Sequence, residues 1–442
     1  MNGFEVFGGT PLKGEVQIGG AKNAAIKHFI ASLLTPEAST FYGAPQIGDL
    51  AITQELCESV GCKVSWGANG EVTLETPEIS KVQIPKELGR KNRMSIMMLP
   101  PLLHRVGEAM VPQPGGCKIG SRPVNFHVNG IAQMGAEIEY KDGYYIAKAK
   151  KLKGAKINLP FPSVSATENL IMAATLAEGT TTIQNAAMEP EIFDLIQYLQ
   201  KMGALIEVGV NRKITIEGVK ELHGAEHHII PDRLEAASYA VAALATKGDV
   251  FVRRARQCDM ITFLNALRRM GGSFDIDQEG IRFFYTKPLK AITIETDVHP
   301  GFMTDWQQPF VLLLTQSEGV GIVHETVYEN RLGYVEGLKK MGGEIYLFQK
   351  CLGDLECRFR ESSYFHSAVV KGPTPLKGAH LHIPDLRGGC SYFIAAVVAS
   401  GRSVLTGVEL LDRGYERIDE KFRSLGASVR RISLDQPLPK AA

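Results

Sequence analysis

The sequence predicts an α/β protein of two domains, each with helices inside and sheet outside, assembled from six copies of one unit. Three observations predict it. A helix–glycine–strand phrase recurs, a second recurring phrase is apolar on nearly every face, and a length of 442 residues exceeds one ordinary core.

The first phrase reads ESVGCKV, AQMGAEI, QKMGALI, RRMGGSF, KKMGGEI and RSLGASV. Its leading glycines are Gly61, Gly135, Gly203, Gly271, Gly342 and Gly426, at intervals of 74, 68, 68, 71 and 84 residues. Each copy follows an amphipathic run such as ITFLNALRR and precedes an alternating stretch such as AEIEYKDGYYIA. That order predicts a helix stopped by glycine, then a strand.

The second phrase reads GGAKNAAIKHFIASLL, RKNRMSIMMLPPLLHR, SVSATENLIMAATLAEG, PDRLEAASYAVAALATKG, TDWQQPFVLLLTQSEG and PDLRGGCSYFIAAVVASG. These segments begin polar and become apolar all round, which predicts buried helices. The alternating strands then lie outside, one face wet. Three units per globule give two domains. The last interval is longer because QKCLGDLECRFRESSYFHSAVVKG, near 349–372, carries extra residues, read here as a surface insertion.

Composition narrows the function. Hydrophobic residues make up 44%, charged residues 22%, and the formal net charge is +1. Such a balance argues against general nucleic-acid or anionic-membrane binding, so any bound anion requires a local cationic cluster. No apolar run reaches the length of a membrane span. The start MNGFEVFGGT lacks the pattern of a signal peptide. The seven cysteines show neither a C-x-x-C pair nor a zinc spacing. The expectation is a reduced cytoplasmic protein without structural disulfide or metal.

The repeat sets polar residues at the starts of the buried helices: Lys22 and Asn23, Arg93, Ser163 to Thr167, Arg233, Asp305 and Arg387. Helix N-termini carry unpaired N–H groups and the positive end of the dipole. If these ends face one cleft, it suits a phosphate or carboxylate substrate. Arg122 precedes Pro123, a residue favoured at the first helical position, which predicts a helix start there. Arg413 and Arg417 lie in DRGYERIDEKF; Arg417, one turn inside a predicted helix, reads as a surface charge. Cys117 sits in PQPGGCKIGSRPV, a bare turn with Lys118 and Arg122 nearby. Positive charge favours the thiolate. The loop alone fits a functional cysteine or a surface one.

Taken in order, GGAKNAA, PGGCKIGSRPV, SVSATEN, ATLAEGTT, NAAMEPEI, IIPDRLEA, FMTDWQ, ENR, PDLRGG and DRGYERI resemble the enolpyruvyl transferases that act on UDP-N-acetylglucosamine. The resemblance covers nearly the whole chain. It implies the inside-out α/β barrel fold, with two pseudo-threefold domains and the active site between them. The first domain would span 22–230 and the second 1–21 with 231–442. It implies transfer of the enolpyruvyl group of phosphoenolpyruvate to the sugar 3′-hydroxyl, with release of phosphate, in peptidoglycan synthesis. No metal and no organic cofactor are implied.

Motif by motif, the resemblance implies that Cys117 protonates the phosphoenolpyruvate methylene and is the thiol alkylated by fosfomycin. Lys22, Arg122 and Arg413 would surround the phosphate, with Asn23 nearby, and Arg387 would meet the carboxylate. Asn23, Arg93, Arg122, Pro123, Val124, Asn125, Phe126, Ser163, Val164, Ser165, Asp305 and Val327 would contact the nucleotide sugar. Asp305 would take the hydroxyl proton; on its own chemistry it could equally cap the helix after it. Closure of the domains would bring the cations together. Phe161, Ser165 and Gly48 depart from one form of the family pattern, and the insertion near 350–371 is unusual. A shikimate-phosphate enolpyruvyl transferase and a non-catalytic nucleotide-sugar-binding paralogue are the rival readings; the PGGCKIGSRPV loop speaks against the former.

Overall fold

The computed structural model describes residues 2–68, 70–115, 123–355 and 357–433. Cys117 and Arg122 lie outside the described residues. The chain divides into two compact units, one of residues 2–19 and 231–433, the other of residues 20–115 and 123–230.

Within the first of these units, the helices Arg233–Ala245, Gln307–Thr315 and Leu386–Val398 pack against one another. Every residue of Arg233–Ala245 and of Gln307–Thr315 is buried. Among the described residues, three four-stranded sheets surround them. One runs His380–His382, Gly401–Thr406, Asn2–Gly8, Ser428–Ser433, so the first strand pairs antiparallel with two strands from the other end of the chain. In the second sheet, Lys13–Gln17 pairs in parallel with Asp249–Arg253. The third is Thr293–Glu295, Gly319–His324, Ser367–Gly372, Glu344–Phe348.

The other unit repeats the plan around the helices Lys22–Ser32, Leu99–Val106 and Val164–Thr175. Two of its sheets have four strands and one has three, Glu108–Pro112, Tyr144–Lys148 and Glu137–Lys141. An isolated parallel bridge from Gln83 to Met110 stands where the fourth strand would be. Each unit has its own continuous apolar core. The helix-inside, sheet-outside fold class is as the repeat predicts, and the reason is visible in the strands. Thr180–Gln184 and Lys213–Glu217 bury alternate residues and turn the others outward, while the interior helices Arg233–Ala245 and Gln307–Thr315 are buried on every face.

The six glycines of the first phrase all have positive φ, between 81° and 110°. Each follows an amphipathic helix, for example Pro190–Lys201 before Gly203 and Ile261–Arg269 before Gly271. A left-handed residue ends the helix and turns the chain into the outer strand, a conformation that strains any residue with a Cβ.

Three local expectations need correction. The second buried helix is not continuous from Arg93: Met94–Met98 is a 3-10 turn and the α-helix starts at Leu99. Pro100 and Pro101 lack the N–H that would bond back to that turn, so the α-helix begins where prolines are tolerated. Pro123 is not the first helical residue, because the helix is Asn125–Gln133 with Val124 as its N-cap. Arg417 does not lie inside a helix; it is the left-handed residue at the N-cap of Ile418–Ser424, exposed and paired with Glu420.

Candidate functional site

In the unit of residues 2–19 and 231–433, the sequence TDWQQPF builds a fixed platform. Trp306 packs in a cluster with Phe263, at 5.4 Å, and Phe302, at 5.7 Å between ring centroids. Asp305, the residue before it, is thereby held at the mouth of the helix Gln307–Thr315. Its carboxylate accepts from Arg331 Nη2 and, at 3.3 Å, from Arg387 Nε. Both guanidiniums are nearly buried, whereas the aspartate side chain keeps 19% exposure. The helix after Asp305 has Trp306 at its N-cap and no side-chain cap. Asp305 is thus held by an ion pair with two arginines, whatever it contributes as a cap.

Burial works against the charge on Arg331, but the carboxylates of Asp305, Asp385 and Glu325 outweigh it and raise its pKa. Arg387 is likewise raised, burial being overcome by Tyr415, Asp305 and Asp232. Arg387 also donates to the Tyr415 hydroxyl at 3.1 Å, which ties it to the DRGYERI segment that carries Arg413. Arg413 itself is half-buried, at the C-cap of the short helix Glu409–Asp412.

Sequence reasoning missed Arg331 and Glu325. Arg331 stood in the ENR motif without a role. Gln308, with its amide turned to satisfy both ends, accepts from Arg331 Nε at 2.7 Å. Glu325 is fully buried and shares its two oxygens among four donors. Oε1 accepts from the N–H groups of Val327 and Tyr328 at 2.8 and 3.0 Å; Oε2 accepts from Thr304 Oγ1 and Gln307 Nε2 at 2.8 and 2.7 Å. It thus fixes the backbone of Val327 to the same platform that holds Asp305.

Two of the expected anion-binding helix starts are already occupied. Asp232 and Asp385 act as N-caps, each accepting from the second and third N–H groups beyond it. The proline–aspartate pairs in IIPDRLEA and PDLRGG are therefore caps first.

In the unit of residues 20–115 and 123–230, Lys22 opens the helix Lys22–Ser32 after a polar-free start and pairs with Asp49 Oδ2 at 2.6 Å. Asn23 follows it. Gly48 begins the helix that carries Asp49, so the departure at that position lies beside the partner of Lys22. Arg93 is the N-cap of the 3-10 turn. Ser163 is the N-cap of Val164–Thr175, and its side chain makes no cap. Ser165 Oγ lies 3.2 Å from His127 Nε2, and Asn169 Nδ2 donates to His127 Nδ1 at 3.0 Å. An acceptor Nδ1 leaves the proton on Nε2, which then donates to Ser165. Burial, helped by the Arg93 charge, holds the pKa of His127 down to about 3, so the ring is neutral. Val124, Asn125 and Phe126 form the start of the helix containing His127, with Pro123 just before it.

The structure therefore joins Asp305, Arg387 and the Arg413 segment in one cluster, and sets Ser165 and Asn169 against His127, with the Arg93 charge acting on the ring. Among the described residues, no helix is long and apolar enough to cross a membrane.

A family model described as EPSP synthase (3-phosphoshikimate 1-carboxyvinyltransferase) matches residues 6–422. A UDP-N-acetylglucosamine 1-carboxyvinyltransferase of Protochlamydia amoebophila is 50% identical over 437 residues, covering 97% of this chain and 94% of the relative. The protein of that name from Chlamydia abortus is 48% identical over 98% of this chain and 99% of its own. Among solved structures, the enolpyruvyl transferase NikO of Streptomyces tendae has a TM-score of 0.85 at 23% identity, covering 97% of this chain and 98% of its own. An EPSP synthase of Acinetobacter baumannii has a TM-score of 0.76 at 18% identity, covering 98% of this chain and 100% of its own. At such identities the structural likeness carries the fold alone, whereas the sequence relatives carry the family. The chain belongs to the EPSP synthase family and, within it, to the UDP-N-acetylglucosamine 1-carboxyvinyltransferases.

Proposed function

We propose that the chain transfers the enolpyruvyl group of phosphoenolpyruvate to the 3′-hydroxyl of UDP-N-acetylglucosamine and releases phosphate. The observation that carries this reading is the Asp305 carboxylate set between two nearly buried guanidiniums, in a chain about half identical to 1-carboxyvinyltransferases. The shikimate-phosphate reading is not favoured, because the full-length relatives carry the nucleotide-sugar name.

The chemistry is an addition followed by an elimination. The sugar oxygen bonds to C2 of phosphoenolpyruvate while its proton passes to Asp305. A proton from Cys117 goes to the C3 methylene. The resulting tetrahedral ketal then loses phosphate and a C3 proton, which restores the double bond. Lys22, Arg122 and Arg413 are assigned to the phosphate and Arg387 to the carboxylate. Fixed cations that match developing charge supply the largest share of such catalysis.

The geometry at Arg387 supports one further detail of this reading. A substrate carboxylate that engages Arg387 competes for the Nε–H now 3.3 Å from Asp305, which loosens the hold of that guanidinium on the Asp305 carboxylate. Glu325 holds Val327, and His127 holds Ser165, as positioning residues for the nucleotide sugar.

The test is phosphate release from phosphoenolpyruvate with UDP-N-acetylglucosamine or shikimate 3-phosphate as acceptor. Release with the nucleotide sugar alone is expected. Asp305→Ala should still bind both substrates while losing roughly 10²–10⁴-fold in turnover. Near-normal release by that variant would remove Asp305 from the base role, and no release by the unaltered chain would remove the reading.

A further inference from the structure

The insertion that lengthens the last repeat lies between the strands Glu344–Phe348 and Ser367–Gly372. It folds back over its own sheet, and four side chains of metal-binding type meet there. The Nε2 or Nδ1 of His324 and His366 and the Sγ of Cys351 and Cys357 include one atom from each residue, all within 4.8 Å of one another. Cys351 Sγ is 3.4 Å from His366 Nε2. The two imidazole rings have centroids 5.6 Å apart. Both histidines and Cys357 are buried.

The surroundings prepare these atoms as ligands. His324 ends the strand Gly319–His324, and its Nδ1 lies 3.1 Å from Glu295 Oε2. His366 Nδ1 lies 2.8 Å from the carbonyl oxygen of Tyr364. Oxygens of these kinds accept, so Nδ1 carries the proton in each ring and Nε2 carries the lone pair. A histidine held through one nitrogen by a carboxylate or carbonyl and offering the other is the arrangement found behind bound metals. His324 Nε2 is buried and has no hydrogen-bond partner among the described residues. The Phe359 N–H donates to Cys357 Sγ at 3.4 Å, an interaction suited to a thiolate. Gly353 lets the insertion lie on the Glu295–His324 pair: a Cβ there would fall 2.1 Å from Glu295 Oε2 and 2.3 Å from His324 Nδ1. The Leu355 N–H donates to the same Glu295 oxygen at 2.9 Å.

We propose that His324, Cys351, Cys357 and His366 form a tetrahedral structural site for a zinc ion, which staples the insertion to the sheet beneath it. Two thiolates with two neutral imidazoles are the donor set of closed, four-coordinate zinc sites. Binding releases two protons, one from each thiol, and the assembled site is neutral. His324 comes from a strand of the sheet and Cys351, Cys357 and His366 from the insertion, so the metal takes the place of the core that so short a segment cannot form alone. The same insertion reaches the proposed substrate region, since Arg358 donates to the carbonyl of Val327. The site involves no reacting group, and it stands whether or not the reading of the activity does. It replaces the metal-free expectation. Spacing along the chain hid it, because His324 belongs to a distant strand and the cysteines are not in a C-x-x-C pair.

The test uses the full chain, without a histidine tag and purified under reducing conditions. Elemental analysis should find about one zinc per chain. Exchange with Co²⁺ should give the intense visible bands of a tetrahedral site and thiolate-to-cobalt charge transfer in the near ultraviolet. Cys351→Ser and Cys357→Ser should each abolish the charge-transfer band or shift it strongly, while Cys258→Ser, at an exposed cysteine elsewhere, leaves it unchanged. The unaltered protein suffices should either variant fail to fold. Substoichiometric zinc with no cobalt spectrum overturns the proposal. So does a Cys351–Cys357 disulfide found by peptide mapping after thiol blocking at lysis, or a cobalt spectrum that both variants retain.

Discussion

Removing one buried carboxylate should remove a pH dependence of stability from the unit of residues 20–115 and 123–230. Glu168 lies on the interior helix Val164–Thr175 and is fully buried. Lys27 Nζ is 3.2 Å from its Oε2 as an ion-pair contact, yet neither carboxylate oxygen has a partner in hydrogen-bond geometry. Burial therefore prevails over the attraction of Lys27, with Glu191 and Glu189 adding to it, and the pKa is raised from 4.5 to about 7. An acid whose folded pKa lies above its unfolded one stabilises the fold fully below the unfolded value. That contribution is lost as pH rises through the folded value, here across roughly pH 4.5 to 7. Each pKa unit is worth about 1.4 kcal/mol, so between pH 5 and pH 8 the loss is about 2–3 kcal/mol.

The perturbation is Glu168→Gln combined with Lys27→Met, which removes the acid without leaving an unpaired buried ammonium. Thermal unfolding of wild type and variant is followed by circular dichroism from pH 5 to pH 8. The melting point of the wild type should fall relative to the variant by roughly 5–10 °C over that range, given a unit of about 200 residues. A difference between the two that stays constant with pH would refute the reasoning, because it would mean that Glu168 is ionised throughout.

Three further outcomes are expected. Arg105 donates through Nη1 to the carbonyls of Leu33 and Thr35 and through Nη2 to those of Thr76 and Pro77, at 2.8–3.0 Å. Arg105→Lys keeps the charge but cannot span the four acceptors, and denaturant unfolding should show a loss of about 1–3 kcal/mol. Gly337→Ala puts a Cβ 2.1 Å from the Tyr392 ring, whereas Gly333→Ala meets nothing within 4 Å. The first should cost about 1–3 kcal/mol or more and the second less than about 0.5 kcal/mol, so equal melting points for the two would contradict the packing. Cys117→Ser should lose most turnover at neutral pH and resist fosfomycin; full sensitivity to the epoxide would place the alkylated thiol elsewhere.

The sequence by itself determined the periodic part of this protein. Six glycines at near-equal intervals mark six helix ends, and all six adopt the left-handed conformation that only glycine takes without strain. Helices apolar on every face had to be interior, and alternating strands had to be exterior. These are local properties, written in spacing and composition. Where the sequence misled, the cause was also local: Pro100 and Pro101 broke one helix, and the left-handed Arg417 stands at the N-cap of another instead of one turn inside it.

Only the tertiary structure decided which charges meet. Asp305 and Arg331 stand 26 residues apart in one unit of the repeat and Arg387 comes from the next, while Lys27 and Glu168 come from two different units. His324, Cys351, Cys357 and His366 converge because an insertion folds onto strands that precede and follow it. Periodicity reports which face of an element is buried, not which distant element covers it. The strength of a charge or a ligand set depends on the partners and the loss of water at that meeting point, and these exist only once the chain has folded.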